Sequence, residues 1–129
     1  MSKPTVLTFL VVSAIFAGPA GAHHSTPLSV DRRNPVSLQG AVTEFRLLSP
    51  HASLYIDVTD DHGRTVNWAL DGGPVRGFIL TGFTAETLPV GQEVTVIAYP
   101  SVTGAAEGEL FSITLPDGRR YGGGRNLPP

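Results

Sequence analysis

Between Val36 and Leu115 the apolar residues recur at every second position in short runs, and this period limits the fold more than any other feature. Val36, Leu38 and Val42 alternate with polar or small neighbours, as do Leu54, Ile56 and Val58. The same holds for Val66, Trp68 and Leu70, for Val94, Val96 and Ala98, and for Phe111, Ile113 and Leu115. A period of two puts alternate side chains on one face of an extended chain, so each run reads as a half-buried strand. Asp60-Asp61-His62-Gly63 separates the second and third runs and makes them a hairpin. The period then changes: Val75, Phe78, Ile79 and Phe83 recur at helical spacing, and Gly77 and Gly82 keep that helix short. Residues 84–90 read as a loop closed by Pro89 and Gly91, and residues 100–108 as a small, polar, flexible connection. Pro116-Asp117-Gly118 turns the chain back through Arg119 to Tyr121.

Three strands, a short helix and two more strands is the order of an OB-type barrel. Gly40 inside the first run, with Phe45 falling out of phase, marks a bulge or sharp coil of the kind that closing a small barrel requires. The competing architecture is a small β-sandwich, which usually draws on seven or more strands. The expected fold class is therefore all-β with one short helix, a small OB-like barrel, closed or partly open. Trp68, Phe78 and Phe111 are its expected core aromatics, while Tyr55 and Tyr99 point outward and are candidates for a binding face.

Ahead of the barrel lies a different kind of segment. Lys3, the only lysine, precedes an apolar run from Val6 to Phe16, then Ala17-Gly18-Pro19 and the small-x-small triplet Ala20-Gly21-Ala22. A cationic start, an apolar stretch of about a dozen residues and an A-x-A site describe a secretory signal peptide cut between Ala22 and His23. A membrane-spanning helix needs about 20 apolar residues, and Pro19 ends this run too early. The expected organisation is a signal peptide over 1–22, an extended arm over 23–35, one β-barrel domain over 36–121 and a flexible tail over 122–129. Cleavage would leave about 107 residues, enough for one modest core.

Without Lys3 the chain sets eight arginines against 11 carboxylates. A mildly acidic protein without lysine is poorly suited to tracking a phosphate backbone, so nucleic acid is not an expected partner. No stable membrane span is expected after cleavage. The absence of cysteine excludes thiol catalysis, a disulfide framework and a lipobox anchor. These features indicate a periplasmic or secreted bacterial domain.

The chemistry concentrates at the new amino terminus. Cleavage would expose His23-His24 with a free α-amine, and an amino-terminal histidine can chelate copper through that amine and its own Nδ1. Imidazole suits copper and zinc, with copper heading the affinity series for nitrogen donors. The familiar amino-terminal copper motif needs histidine third, where Ser25 stands. Two ligands on an arm make a weak site without a third. His51, after Pro50 and on the same side as Tyr55 and Asp57, is the candidate third. The plain alternatives are solvated arm histidines and a rim histidine bonded to a loop carbonyl. His62 reads as a turn residue. Asp57, Asp60 and Asp61 lack the calcium-loop spacing. Ser49, Ser53 and His51 lack a nucleophile elbow and an evident orienting acid. Gly122-Gly123-Gly124 lacks the lysine and helix of a phosphate loop. Arg119, Arg120 and Arg125 could grip an anion, though a solvated edge explains them as well.

Several segments together resemble a known family. They are Ala22-His23-His24-Ser25, the first strand Val36-Ser37-Leu38-Gln39-Gly40-Ala41-Val42, Pro50-His51, Val66-Asn67-Trp68, the stretch Leu88-Pro89-Val90-Gly91-Gln92-Glu93-Val94-Thr95-Val96, and Thr114-Leu115-Pro116-Asp117-Gly118-Arg119. The pattern is similar to a family of small exported bacterial proteins known only as a domain of unknown function. The resemblance implies no activity. It adds weight to His23, His24 and His51 through the recurrence of the paired histidines and of Pro-His. The family's usual asparagine before Pro-His is Ser49 here, which leaves no side-chain amide at that position.

Three readings follow. The first is a non-enzymatic exported binding module for a small ligand or envelope protein, in its sharpest form binding copper or another transition metal through His23, His24 and His51. The second is a metal-free accessory protein of the cell envelope. The third is a copper-dependent oxidative enzyme, which would need a rigid set of metal ligands that a loose arm does not offer. No catalytic constellation is recognised.

Overall fold

The computed structural model describes residues 28–122. Six strands run as β1 (Val36–Arg46), β2 (His51–Thr59), β3 (Thr65–Pro74), β4 (Glu93–Pro100), β5 (Glu107–Thr114) and β6 (Arg120–Gly122). A six-residue helix, α1 (Val75–Leu80), and a 3-10 turn at Ala85–Thr87 lie between β3 and β4. The sheet order is β3-β2-β1-β4-β5-β6, and β3 also pairs with β5, so the first five strands close on themselves. That closing pair is parallel and joins Ala69, Leu70 and Asp71 to Glu107, Gly108 and Glu109. A closed ring of five strands is the OB-like arrangement expected from the element order, and closure excludes the sandwich. The signal segment, His23, His24 and residues 123–129 lie outside the described residues.

β1 is shared between two neighbours. Its first half pairs with β4 and its second with β2, and Ala41 pairs with both Glu93 and Asp57. Gly40 sits beside this changeover because two backbones pass there: a Cβ on it would lie 2.2 Å from the carbonyl oxygen of Asp57. The irregularity expected at Gly40 falls instead between Val42 and Glu44, and it brings Phe45 opposite the buried Leu54. The extra residue resets the phase, which is why Phe45 breaks the alternation.

A second shift, between Ile97 and Ala98 of β4, leaves Phe111 of β5 unpaired. Leu110, Ile113 and Leu115 fill the core, while Phe111 packs on Tyr99 with ring centroids 5.4 Å apart. The bulge thus removes Phe111 from the core position that strict alternation assigns it. Trp68 is half-buried against the core rather than within it.

Phe78 closes one end of the barrel. It is fully buried, stacks on Tyr121 at 3.7 Å and 14°, and meets Phe45 at 5.5 Å and Phe83 at 6.3 Å. α1 ends at Thr81, whose hydroxyl donates to the carbonyls of Gly77 and Phe78. So short a helix turns one face inward and leaves Ile79, expected to pack, 62% exposed beside Leu80 at 71%. Among the described residues, no helix is long and apolar enough to cross a membrane.

The arm, where described, is fastened. Val30 bridges Ser101, the Asp31 amide donates to Pro100 O at 2.8 Å, and the Val102 amide donates to Ser29 O at 3.0 Å. The connection it lies on is also tied down, since the Ser101 amide donates to Glu107 O at 2.9 Å and the Ser101 and Thr103 hydroxyls share a hydrogen bond. The 100–108 stretch, expected to be flexible, is a strapped loop that carries the arm.

Candidate functional site

Alternation turns one residue from each strand of the ring outward at the same level. The registers place Tyr99 opposite Glu109, Glu109 opposite Asp71, Asp71 opposite Ser53, and Ser53 opposite Arg46. This polar belt crosses all five strands of the ring. His51 joins it through a bulge in β3, where Gly72 is passed over and His51 comes opposite Pro74. Gly73 holds the left-handed conformation, with φ 71°, that completes the bulge.

His51 Nδ1 lies 3.0 Å from Asp71 Oδ2, and Asp71 Oδ1 accepts the Gly73 N–H at 2.7 Å. The carboxylate is gripped at both oxygens, so the imidazole is oriented by a fixed acceptor. An ionised carboxylate can only accept, so Nδ1 donates, and in the neutral tautomer of that ring the lone pair is on Nε2. This pair is 53% and 41% exposed, so it contributes little to stability. Its consequence is geometric: a histidine bonded through one ring nitrogen to a carboxylate presents the other as metal ligands do.

Two clefts flank the pair. One of about 460 Å³ is lined by Leu28, Ser29, Ser53, Tyr55, Asp71 and Ser101 among others, and one of about 410 Å³ by Leu28, His51, Asp71, Gly72 and Glu109 among others. Leu28 and Asp71 belong to both, so the described arm begins on the ridge between the clefts, beside His51.

The other candidates are engaged elsewhere. Tyr55 and Tyr99 do face outward, yet Arg46 lies over the first ring at 5.4 Å and Arg32 over the second at 5.3 Å. Arg46 also grips Glu44 through two bonds, at 2.6 and 2.8 Å, and that hydrogen-bonded carboxylate raises its pKa. Arg119 is held by Asp117, whose carboxyl is lowered chiefly by the Arg119 backbone N–H and then by its side chain. His62 is the turn residue expected, its amide donating to Asp60 Oδ1 at 2.9 Å. Asp60 also holds Arg64, and Asp57 accepts from Asn67. Among the described residues, no group of three or more His, Asp or Glu side chains is arranged to hold a metal ion. A metal at His51 needs donors from elsewhere in the chain.

Asp71 is the residue that sequence reasoning missed, and it supplies the orienting acid that His51 seemed to lack. The signal was available: extending the hairpin outward from the Asp60–Gly63 turn pairs Thr59 with Thr65, Asp57 with Asn67 and Ser53 with Asp71. Reading the third strand as ending at Leu70 stopped one residue short. Among the described residues, no serine hydroxyl is hydrogen-bonded to His51, so the pair does not extend into a nucleophilic triad.

A protein-family model described as a family of unknown function (DUF6152) matches residues 10–110. No curated protein and no solved structure matches the chain.

Proposed function

This chain belongs to the family of unknown function DUF6152, and on that premise we propose that it is an exported module that binds a transition metal, copper foremost, between His51 and the amino-terminal pair His23-His24. The observation that carries the reading is the His51–Asp71 bond, which leaves Nε2 free beside the described start of the arm. Cleavage after Ala22 would add an α-amine and two imidazoles as further donors. Three or four nitrogen donors suit copper, whereas the two on the arm alone would be weak. The strapping of Val30 and Asp31 to residues 100–101 favours such a site, because it shortens the free length of arm that must be ordered on binding. Export through a signal peptide would deliver the module to the periplasm or the medium, where a fold without cysteine needs no oxidant.

Copper titration of the processed protein near neutral pH tests this, with its amino terminus first established by sequencing. Alanine at 23, 24 and 51 together should weaken binding by at least a hundredfold, and His51→Ala alone by at least tenfold. Equal affinity in the wild type and the triple variant would end the metal reading.

The exposed Ile79 and Leu80 on α1 favour a second reading, a metal-free interaction module of the envelope. Under it, Ile79→Asp with Leu80→Asp abolishes capture of a specific envelope partner, while the triple alanine variant retains it.

A further inference from the structure

We propose that the larger cleft, the one over Ala69, binds an aliphatic ammonium group between the Tyr55 ring and the Glu107 carboxylate. Neither residue belongs to the metal site proposed above. Cross-strand register builds the cleft: Tyr55 of β2 pairs with Ala69 of β3, and Ala69 with Glu107 of β5. Neighbouring strands lie about 4.8 Å apart, so the ring and the carboxylate rise from backbones about 10 Å apart, with only a methyl group between them. All three residues line the cleft of about 460 Å³. An ammonium about 2.8 Å from a carboxylate oxygen and within about 6 Å of a ring centroid fills such a gap.

The lining sets the sign of the ligand. Among the described residues, its charged side chains are Asp71 and Glu107, and no arginine or histidine lines it. An anion would meet two carboxylates and no cation. Asp71 is already held by His51 and the Gly73 N–H. Glu107 is half-buried and, among the described residues, forms no salt bridge, so it is the carboxylate left to pair with a cation from solution. Tyr55 already takes one cation on its β1 side, where Arg46 lies 5.4 Å from the ring centroid and outside the cleft. Glu44 neutralises that guanidinium, so it sets little net charge against a second cation. Leu28 and the buried Leu70 offer apolar surface to the carbon chain of the ligand, and the Ser53 hydroxyl adds an acceptor for its N–H groups.

The test is an NMR titration of the processed protein, kept metal-free with EDTA, with n-butylammonium and with n-butanol as its neutral counterpart. Butylammonium should saturate at millimolar concentration and bind at least tenfold more tightly than butanol. Glu107→Gln, which keeps the volume of the side chain, should weaken it at least tenfold, and Tyr55→Leu at least threefold, with melting temperatures close to that of the wild type. Asp61→Asn, which removes an exposed carboxylate from the hairpin turn, should bind as the wild type does. The ammonium could belong to a free amine or to a lysine side chain of another protein. Nα-acetyl-lysine methylamide stands for the second source, and whichever of the two probes binds more tightly names it. Equal binding of butanol, wild-type affinity in Glu107→Gln, or an equal loss in Asp61→Asn would overturn the site. Loss of butylammonium binding in the variant with alanine at 23, 24 and 51 would also overturn it, by moving the amine to the histidines. None of these results bears on copper affinity, so the metal reading stands or falls separately.

Discussion

Gly40→Ala adds one methyl group at the changeover of β1 between its two partners. That methyl would lie 2.2 Å from the Asp57 carbonyl oxygen, 3.0 Å from the Asp57 carbonyl carbon and 3.3 Å from Val58 Cγ2. Ordinary contact begins near 3.4 Å, so the two backbones must part by about 1.2 Å. Neither can move freely. Asp57 pairs with Ala41 on one side and Asn67 on the other, and Gly40 is held to Val94. Overpacking costs about 1–3 kcal/mol, and a disrupted ladder bond about 1 kcal/mol more. Replacing glycine in a strand returns about 0.5–1 kcal/mol of chain entropy. The net loss is about 1–3 kcal/mol, which for a domain of this size lowers the melting temperature by about 5–20 °C. Thermal unfolding followed by circular dichroism measures it, with Val90→Ala, at an exposed residue, as the near-neutral control. A Gly40→Ala protein that melts with the wild type, or above it, would refute the close-approach account of this glycine.

Four further outcomes follow from the same geometry. Phe78→Ala empties the barrel end beneath Tyr121, Phe45 and Phe83 and should cost about 3–5 kcal/mol in urea unfolding. Asp71→Asn removes the charge that fixes the His51 tautomer and should weaken copper binding about 10- to 100-fold, read by competitive titration. Burial raises the Tyr121 phenol above its usual 10, so stability contributed by its neutral form is intact below pH 10 and is lost as pH rises from there towards the higher folded value. Ultraviolet titration should show a late-ionising phenol that Tyr121→Phe abolishes. The Asp117 carboxyl is depressed below 3.8, so the β5–β6 turn should stay ordered down to that pH and loosen only as pH falls through the lower folded value. Carboxyl chemical shifts followed by NMR would record the transition.

The barrel was legible in the chain because period-two runs report one face of a strand directly. Leu54, Ile56, Val94, Val96 and Ala98 are buried where alternation puts them. Alternation fails at bulges, since one extra residue reverses every face beyond it. Nothing in Glu109-Leu110-Phe111-Ser112 announces that Phe111 is the residue passed over, so an aromatic that composition favours for the core ends half-buried against Tyr99 on the outer face. The bulge in β1 shows the contrast, because Phe45 was visibly out of phase and an irregularity nearby could be anticipated. Ile79 was misplaced for another reason: helical spacing describes a full apolar stripe, and a helix of six residues buries only one turn's worth of it. At the site, His51 could be picked out by residue type and by its neighbour Pro50. Asp71 could not be found that way, because its importance comes from cross-strand register. The Arg32–Glu109 salt bridge was harder still to foresee, since it spans 77 positions.

Ring closure also governs the order in which this protein can be made. The parallel pair joins Ala69–Asp71 to Glu107–Glu109, so β3 and β4, at the two ends of the four-stranded sheet, each keep a free edge until the fifth strand emerges. Contacts between such distant parts of a chain form slowly, on a scale of milliseconds to seconds. A nascent or truncated product that stops short of Glu107 would offer both sides of an open sheet to other chains, the form most prone to aggregate.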